Sequence, residues 1–276
     1  MASTINTNMS SLTAQRAMGT SQGSLATSMQ RLSTGLRINS AKDDSAGLAI
    51  AERMTSQIKG MAVAGRNAND AISLAQTAEG ALGKIGESLQ RMRELSVQSA
   101  NSTNSSTDRA NLDEEYQALA KEVTRVIDGT KFNGNNLLNA SATDMAFQVG
   151  ADNVATDQIT VSLTDMSAGG GMTAALGGGI TTAAEALVRM TNLDAAIDEV
   201  TSARSNLGSV QNRFESVVAN LSTTSENLQA AKGRIMDADF AVETSNMSRA
   251  QVLQQAGSAM LAQANQAPQQ VMSLLR

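Results

Sequence analysis

The sequence predicts a mainly α chain, a long antiparallel helical bundle forming a rod, with a small β-hairpin region. Three observations predict it. First, Leu193, Val200, Leu207, Phe214, Leu221, Leu228, Ile235 and Val242 recur every seven residues with no polar member. Ala196, Ala203, Val210, Val217, Ala231 and Ala238 fill the companion position, where Thr224 is the polar exception. Apolar residues spaced 3 and 4 make a narrow stripe that a 3.5-residue period holds against a partner helix. Fifty such residues would extend roughly 75 Å, far beyond the width of a compact domain. Second, aromatic residues make up 2% of the chain and Trp is missing, so Ala, Leu, Ile, Val and Met must fill the interior. Those side chains suit close helix–helix packing better than a thick globular core. Third, the periodicity switches to alternation between Met145 and Leu163.

Taken in order, residues 1–39 carry Ile5, Met9, Leu12, Met18, Leu25, Met29, Leu32 and Leu36, an amphipathic stripe with one slip in register. Asn39 to Ser45 separates this helix from the next, with Asp44 or Ser45 as the expected N-cap. The second helix repeats Met54, Met61, Ala68, Ala75, Leu82 and Leu89, beside a row in which Gly65, Glu79 and Gly86 read as interruptions. A Ser/Thr/Asn turn at 101–107 leads to a third helix, where Leu112, Tyr116, Leu119, Val123 and Val126 step by 4 and 3 before Asp128-Gly129. Stripes of this kind bury one another with crossing angles of about 20°.

Beyond Gly129 the pattern becomes turns, with Asn133-Gly134 prominent, then a hairpin from Met145–Gly150 and Gln158–Leu163. Glycines at 169–171 and 177–179 read as a flexible connection, because no phosphate-loop Gly-Lys-Ser/Thr ending follows them. Thr182 and Glu185 form a capping box for the long heptad helix. Residues 244–276 close the chain with Met247, Leu253, Ala256, Met260, Leu261, Val271 and Leu274 among many Gln, Ala and Ser. Both ends bury little apolar area per turn, against about 1–2 kcal/mol per residue of backbone entropy. They are therefore expected to be poorly ordered in an isolated chain and to become helical against neighbouring copies.

Composition excludes several function classes. Without His or Cys the usual transition-metal ligands, the Ser-His and Cys-His nucleophile systems and every disulfide are missing. Carboxylates and a Ser-Lys pair remain as formal catalytic groups, but on amphipathic helices such charges are solvated faces; no catalytic residue, cofactor site or metal site is expected. A net charge of −5 with no basic cluster disfavours nucleic acid and anionic lipid as main partners. No apolar run approaches the ~18–20 residues of a membrane span, and residues 1–11 show no cleavable signal pattern.

Specific segments go further. Residues 33–61 read STGLRINSAKDDSAGLAIAERMTSQIKGM, and 67–82 read NANDAISLAQTAEGAL. Near the other end stand QNRFE at 211–215, RIMDADFA at 234–241 and LQQAGSAMLAQANQ at 253–266. Over roughly residues 1–140 and 187–276 the chain resembles bacterial flagellin, with small departures such as Thr34 and Met236. The resemblance implies a structural subunit that polymerises into the flagellar filament for swimming motility, exported unfolded by the flagellar type III route and extracellular in its final place. It implies terminal helices, 1–40 and 244–276, pairing as a coiled coil on the inside of a tube. Residues 41–243 would form the surrounding rod domain, with the hairpin region at about 131–166 and the Gly-rich connection at 167–180. That short interval replaces the variable outer domains of many flagellins, so a minimal form is expected.

The same resemblance implies partners: other copies of the chain, a flagellin export chaperone, the filament cap and the hook-junction proteins. Residues 89–101 resemble the flagellin segment recognised by the vertebrate Toll-like receptor for flagellin, which would place Gln90, Arg91, Leu95 and Gln98 at that contact, with Glu115 from the next helix. Polymerisation would fall to Ile5, Leu12, Leu25, Met29, Leu32, Leu36, Leu253, Met260, Leu261 and Leu274. The rod core would be Met54, Met61, Leu82, Leu89, Leu193, Val200, Leu207, Phe214, Leu221, Leu228 and Ile235. A hook–filament junction protein or another helical stalk is the alternative, sharing terminal helices but matching the internal blocks less well.

Overall fold

The computed structural model describes residues 7–274, with side chains through residue 266. The chain divides into two compact units: the two ends, Met1–Ser56 with Asn227–Arg276, and the middle, Gln57–Glu226.

In the first unit, α1 (Met9–Thr34) is capped by Asn8, whose side chain accepts from the Ser11 amide. It stops at Gly35, whose left-handed φ of 70° lets its amide bond Arg31 O at 2.8 Å. α2 (Ser45–Ala100) begins behind Asp44, which accepts from the Gly47 amide at 2.8 Å and is the N-cap. α5 (Ala183–Met236) and α6 (Phe240–Leu274) are two helices rather than one continuous heptad rod. Between them Asp237 pairs antiparallel with Leu36, flanked by Arg37 N to Met236 O at 2.6 Å and Ala238 N to Gly35 O at 2.9 Å. Arg37 Nη2 adds a bond to Ile235 O at 2.7 Å. Val242, the eighth member of the sequence series, therefore lies past the break and is exposed. The helix breaks where Asp239 supplies a new cap, accepting from the amides of Ala241 and Val242.

The second unit is an antiparallel bundle of α2, α3 (Ser106–Gly129) and α5. The α2 seam runs Ala64, Ala68, Ala71, Ala75, Ala78, Leu82, Ile85, Leu89 and Met92, all buried at 3- and 4-residue steps. The companion row is thus Ala71, Ala78, Ile85 and Met92, one residue before the row containing Gly65, Glu79 and Gly86. Those three are not interruptions: Glu79 sits at the seam's edge, accepting from Gln211 at 3.0 Å. Against this seam pack Tyr116, Val123 and Ile127 of α3 and Leu193, Val200, Leu207 and Phe214 of α5.

The core is shorter than the heptads predict. Met54, Met61, Leu221, Leu228 and Ile235 are half-buried and lie outside the continuous cluster. On α2 the small Ala51 and Ala64 fill the buried positions there, and the longer methionines lie beside them.

Two small sheets close the side of the bundle. β1 (Lys131–Phe132) and β2 (Asn135–Asn136) turn on Asn133-Gly134, both at positive φ, as a two-residue hairpin requires. β3 (Met145–Gln148) pairs antiparallel with β4 (Gln158–Val161), setting Phe147 opposite Ile159. Phe147 then meets Phe214 of α5 edge to face, with centroids 5.9 Å apart.

The Gly-rich stretch is not a flexible connection. It folds as α4 (Gly170–Leu176) and buries Met172, Ala175 and Ile180. Glu199 of α5 accepts from the amides of Gly171 and Met172, at 2.9 and 3.2 Å. Asp113 accepts from Ile180 N at 2.7 Å, and the Tyr116 hydroxyl donates to Ala175 O at 2.7 Å. Arg189 donates to Ala174 O, and Ser99 to Ile180 O. The glycines serve close approach: a Cβ on Gly171 would stand 2.8 Å from the backbone of Ala195 and Ala196. Among the described residues no helix is long and apolar enough to cross a membrane, and no cluster of three metal-binding side chains occurs.

Candidate polymerisation surface

α1 and α6 run antiparallel along each other. Ser11 Oγ meets Asn265 Oδ1 at 3.0 Å, and Asn8 Nδ2 donates to Ala264 O at 2.8 Å. A Cβ added to Gly257 would stand 3.8 Å from Met18, and Arg31 approaches Glu243 at 3.8 Å near the other end. The facing residues of α1 are Ser11, Ala14, Met18, Ser21, Leu25, Ser28 and Leu32, a strict 3–4 spacing. Those of α6 are Glu243, Met247, Ala250, Gln254, Gly257, Leu261 and Ala264. This is a coiled-coil seam built largely from small and polar residues. Such a seam brings two helices close while burying little apolar area.

The large apolar side chains point elsewhere. Leu12 is 49% exposed, Met29 50%, Leu253 52% and Met260 64%; Val252 is exposed as well. Of the residues expected to drive polymerisation, these first four are therefore free on the surface. Leu25, Leu32 and Leu261 are half-buried in the seam between α1 and α6, and Leu36 is half-buried in the bridge to Asp237. Ile5 lies outside the described residues, and Leu274 ends α6 with its side chain outside them.

Charge separates along the chain in a way the sequence reading passed over. Every Asp and Glu lies between Asp43 and Glu243; residues 1–42 and 244–276 contain none. Arg16, Arg31, Arg37, Lys42, Arg249 and Arg276 are thus the only charged side chains of those two end segments. Glu243, their sole acidic neighbour on α6, is 7% exposed.

The segment matched to receptor recognition lies in the second unit. Arg91 reaches Glu115 of α3 at 2.8 and 2.9 Å and Glu94 at 3.0 Å. The Glu115 bonds, then those of Glu94, hold the guanidinium above its ordinary pKa. Gln90, Arg91, Gln98 and Glu115 are exposed on neighbouring turns. Leu95 corrects the expectation: it is 0% exposed, packed in the bundle core, because it points inward on the face shared with Met92. It can support that surface only from beneath.

The chain matches known families at both ends. Residues 5–143 match the bacterial flagellin N-terminal helical region, and residues 190–275 the bacterial flagellin C-terminal helical region. A flagellin of Halalkalibacterium halodurans is 46% identical, covering 99% of each chain. A flagellin of Xenorhabdus nematophila is also 46% identical, with all of both chains covered. Among solved structures, Bacillus cereus flagellin superposes with a TM-score of 0.51 at 33% identity, spanning 60% of this chain and 94% of that one. With the interval between hairpin and long helix occupied by α4 alone, the chain belongs to the bacterial flagellin family in its minimal form, lacking the variable outer domains.

Proposed function

We propose that this structural subunit of the flagellar filament polymerises through the outer surface of its paired terminal helices. One observation carries the reading. The α1–α6 seam gives half its positions to Ser, Ala and Gly, while the large apolar Leu12, Met29, Leu253 and Met260 are left facing outward. Exposed apolar side chains on both helices of one pair call for cover by other copies. A helical filament repeats a heterologous contact without closing, so each copy must carry two complementary faces. The thin seam also supports termini that order on assembly, which would hold back polymerisation before export. The Arg16 and Arg249 charges add repulsion between unassembled ends. The protein is read as non-catalytic and, in its working place, extracellular; an export chaperone, the filament cap and the hook-junction proteins are its proposed helpers.

Deleting residues 1–35 or 245–276 tests this. A folded central bundle that fails to elongate filament seeds under the electron microscope is the expected result. Filaments of normal diameter from either truncation would refute it.

A second reading, recognition of the unassembled subunit by the vertebrate Toll-like receptor for flagellin, is supported by the exposed Arg91–Glu115 pair and the flanking Gln90 and Gln98. Arg91→Ala should leave folding intact, because exposed pairs contribute about 0–1 kcal/mol, yet lower receptor signalling. Undiminished signalling from that variant ends this reading.

A further inference from the structure

Six tripeptides of this chain read Asn-x-Ser or Asn-x-Thr, beginning at Asn8, Asn101, Asn104, Asn139, Asn220 and Asn246. That pattern is the acceptor signal for a sugar linked through asparagine, and it is used in surface loops. The fold sorts the six. Asn220 and Asn246 lie inside α5 and α6. Asn8 caps α1, and its Nδ2 donates to Ala264 O at 2.8 Å. Asn104 Nδ2 donates to Gln98 O at 2.6 Å. Asn101 and Asn139 remain, the first in the turn between α2 and α3, the second between β2 and β3.

These two share one local geometry. Asn101 Oδ1 accepts from the Thr103 amide at 3.0 Å, and Asn139 Oδ1 accepts from the Ser141 amide at 3.0 Å. Each is an Asx turn closed onto the hydroxyl residue of its own tripeptide. Because the carboxamide is planar, tying Oδ1 back to the main chain turns Nδ2, its donor end, away from it. Among the described residues neither Nδ2 has an acceptor, and the Thr103 and Ser141 hydroxyls have no partner. Asn101, Ser102, Thr103, Ala140 and Ser141 are exposed, and Asn139 is half-buried. Both turns belong to the Gln57–Glu226 unit, so neither sits on the terminal helices.

We propose that Asn101 and Asn139 are acceptor sites for an N-linked sugar on the folded chain. The donor is a hexose activated at C1 as a diphosphate ester. Nδ2 attacks C1: the N–C1 bond forms, the C1–O bond breaks, and the diphosphate leaves with the electron pair. Nδ2 gives up one of its two protons to a carboxylate of the transferase. The Thr103 or Ser141 hydroxyl, free beside it, is the group by which the transferase recognises the tripeptide.

The test takes the full folded chain with a soluble N-glycosyltransferase and nucleoside-diphosphate glucose, and separately with a membrane oligosaccharyltransferase and a polyprenyl-diphosphate sugar. Only enzymes that modify a tryptic digest of this chain are used, since in the digest every tripeptide is freed from the fold. Peptide mass mapping reads all six asparagines. Asn101 and Asn139 should carry sugar from at least one donor, and the donor that serves separates a nucleotide-linked source from a lipid-linked one. Occupancy at Asn8, Asn104, Asn220 and Asn246 should be at least tenfold lower. A folded chain that takes no sugar at Asn101 and Asn139, or takes it equally at all six, overturns the proposal. Thr103→Ala and Ser141→Ala keep the amide that closes each turn and remove only the hydroxyl. Each should lose sugar at its own asparagine alone, with the circular dichroism spectrum unchanged; sugar persisting in both variants overturns the proposal. Neither readout depends on filament growth.

Discussion

Gly171→Ala tests whether the Gly-rich segment is a packed part of the bundle. In an unconstrained connection this change would stabilise, since alanine loses less backbone freedom on folding, by about 0.4–1 kcal/mol. Here the added methyl carbon would lie 2.8 Å from Ala195 C and Ala196 N, and 2.9 Å from Ala195 Cβ. Two of those atoms are α5 backbone and cannot swing aside as a flexible side chain would. Relief requires α4 to move outward by several tenths of an ångström, loosening the Glu199 carboxylate from the Gly171 and Met172 amides. Overpacking of this kind costs about 1–3 kcal/mol, so the net effect should be a loss of about 1–2 kcal/mol. In a cooperative unit of this size the melting temperature should fall by roughly 2–8 °C. Gly80→Ala is the matched control, because that glycine is exposed inside α2 and its Cβ meets nothing within 4 Å. It should raise the melting temperature by a few degrees, about 2–4 °C per kcal/mol. Thermal melts of the unassembled chain, followed by circular dichroism, compare the two. If Gly171→Ala melts at or above the wild-type temperature, α4 is not held against α5 as described.

Leu95→Ala should destabilise the monomer by about 2–5 kcal/mol, the range for emptying a buried leucine site, read as a shifted urea midpoint; a change below about 0.5 kcal/mol would contradict its burial. The Tyr116 phenol, shut away from water, is pushed up to about 12 from 10.0. Its raised value means the folded state keeps the proton longer, so its contribution is intact below pH 10 and is lost as pH rises toward 12. Absorbance of the sole tyrosine should show ionisation only together with unfolding, and free titration at ordinary pKa in the folded chain would refute the burial. At the acid end, Ser105 hydrogen bonds lower Asp108, Thr181 and Thr182 lower Glu185, and the Asn39 and Ser40 amides lower Asp43. Depressed carboxylates stabilise fully above their unfolded values of 3.8 and 4.5 and lose that contribution as pH falls through the folded ones. Asp108→Asn and Glu185→Gln should therefore flatten the acid side of the stability profile, and an unchanged profile would remove the caps from the account.

The helices were legible because their determinants are local. Heptad spacing placed Leu82, Leu89, Leu193, Val200, Leu207 and Phe214, which are buried, and the Thr182–Glu185 box stands where α5 starts, with the Glu185 amide bonded to Thr182 Oγ1 at 3.2 Å. Alternation gave the β3–β4 pair for the same reason. Features set by distant parts of the chain were hidden. The Gly-rich segment reads as a linker because its helix is short, and what orders it comes from Asp113, Tyr116, Arg189 and Glu199. The break at Asp237 was hidden because the apolar period runs through it unbroken to Val242. On the candidate surface, Leu12, Met29, Leu253 and Met260 could be named from apolarity alone. That Leu25, Leu32 and Leu261 face the partner helix of the same chain required the antiparallel register. A signal was nonetheless present: Ser11, Ala14, Met18, Ser21, Leu25, Ser28 and Leu32 keep a 3–4 spacing that apolarity alone passes over.

The bridge between Leu36 and Asp237 has a mechanical consequence. It straps together the two points where the backbone leaves one helix for the next, with Arg37 bonded to Met236 and Ala238 bonded to Gly35. Antiparallel ladder bonds lie across the strands, so a lengthwise tug of α1 against α6 loads them in shear, and they must fail together. Peeling, which would open them one at a time, is opposed by the Arg37 side chain reaching Ile235 from the same residue. A pull along one helix is thus shared with its neighbour at the break itself, where the backbone is clasped by bonds from Arg37 and Ala238.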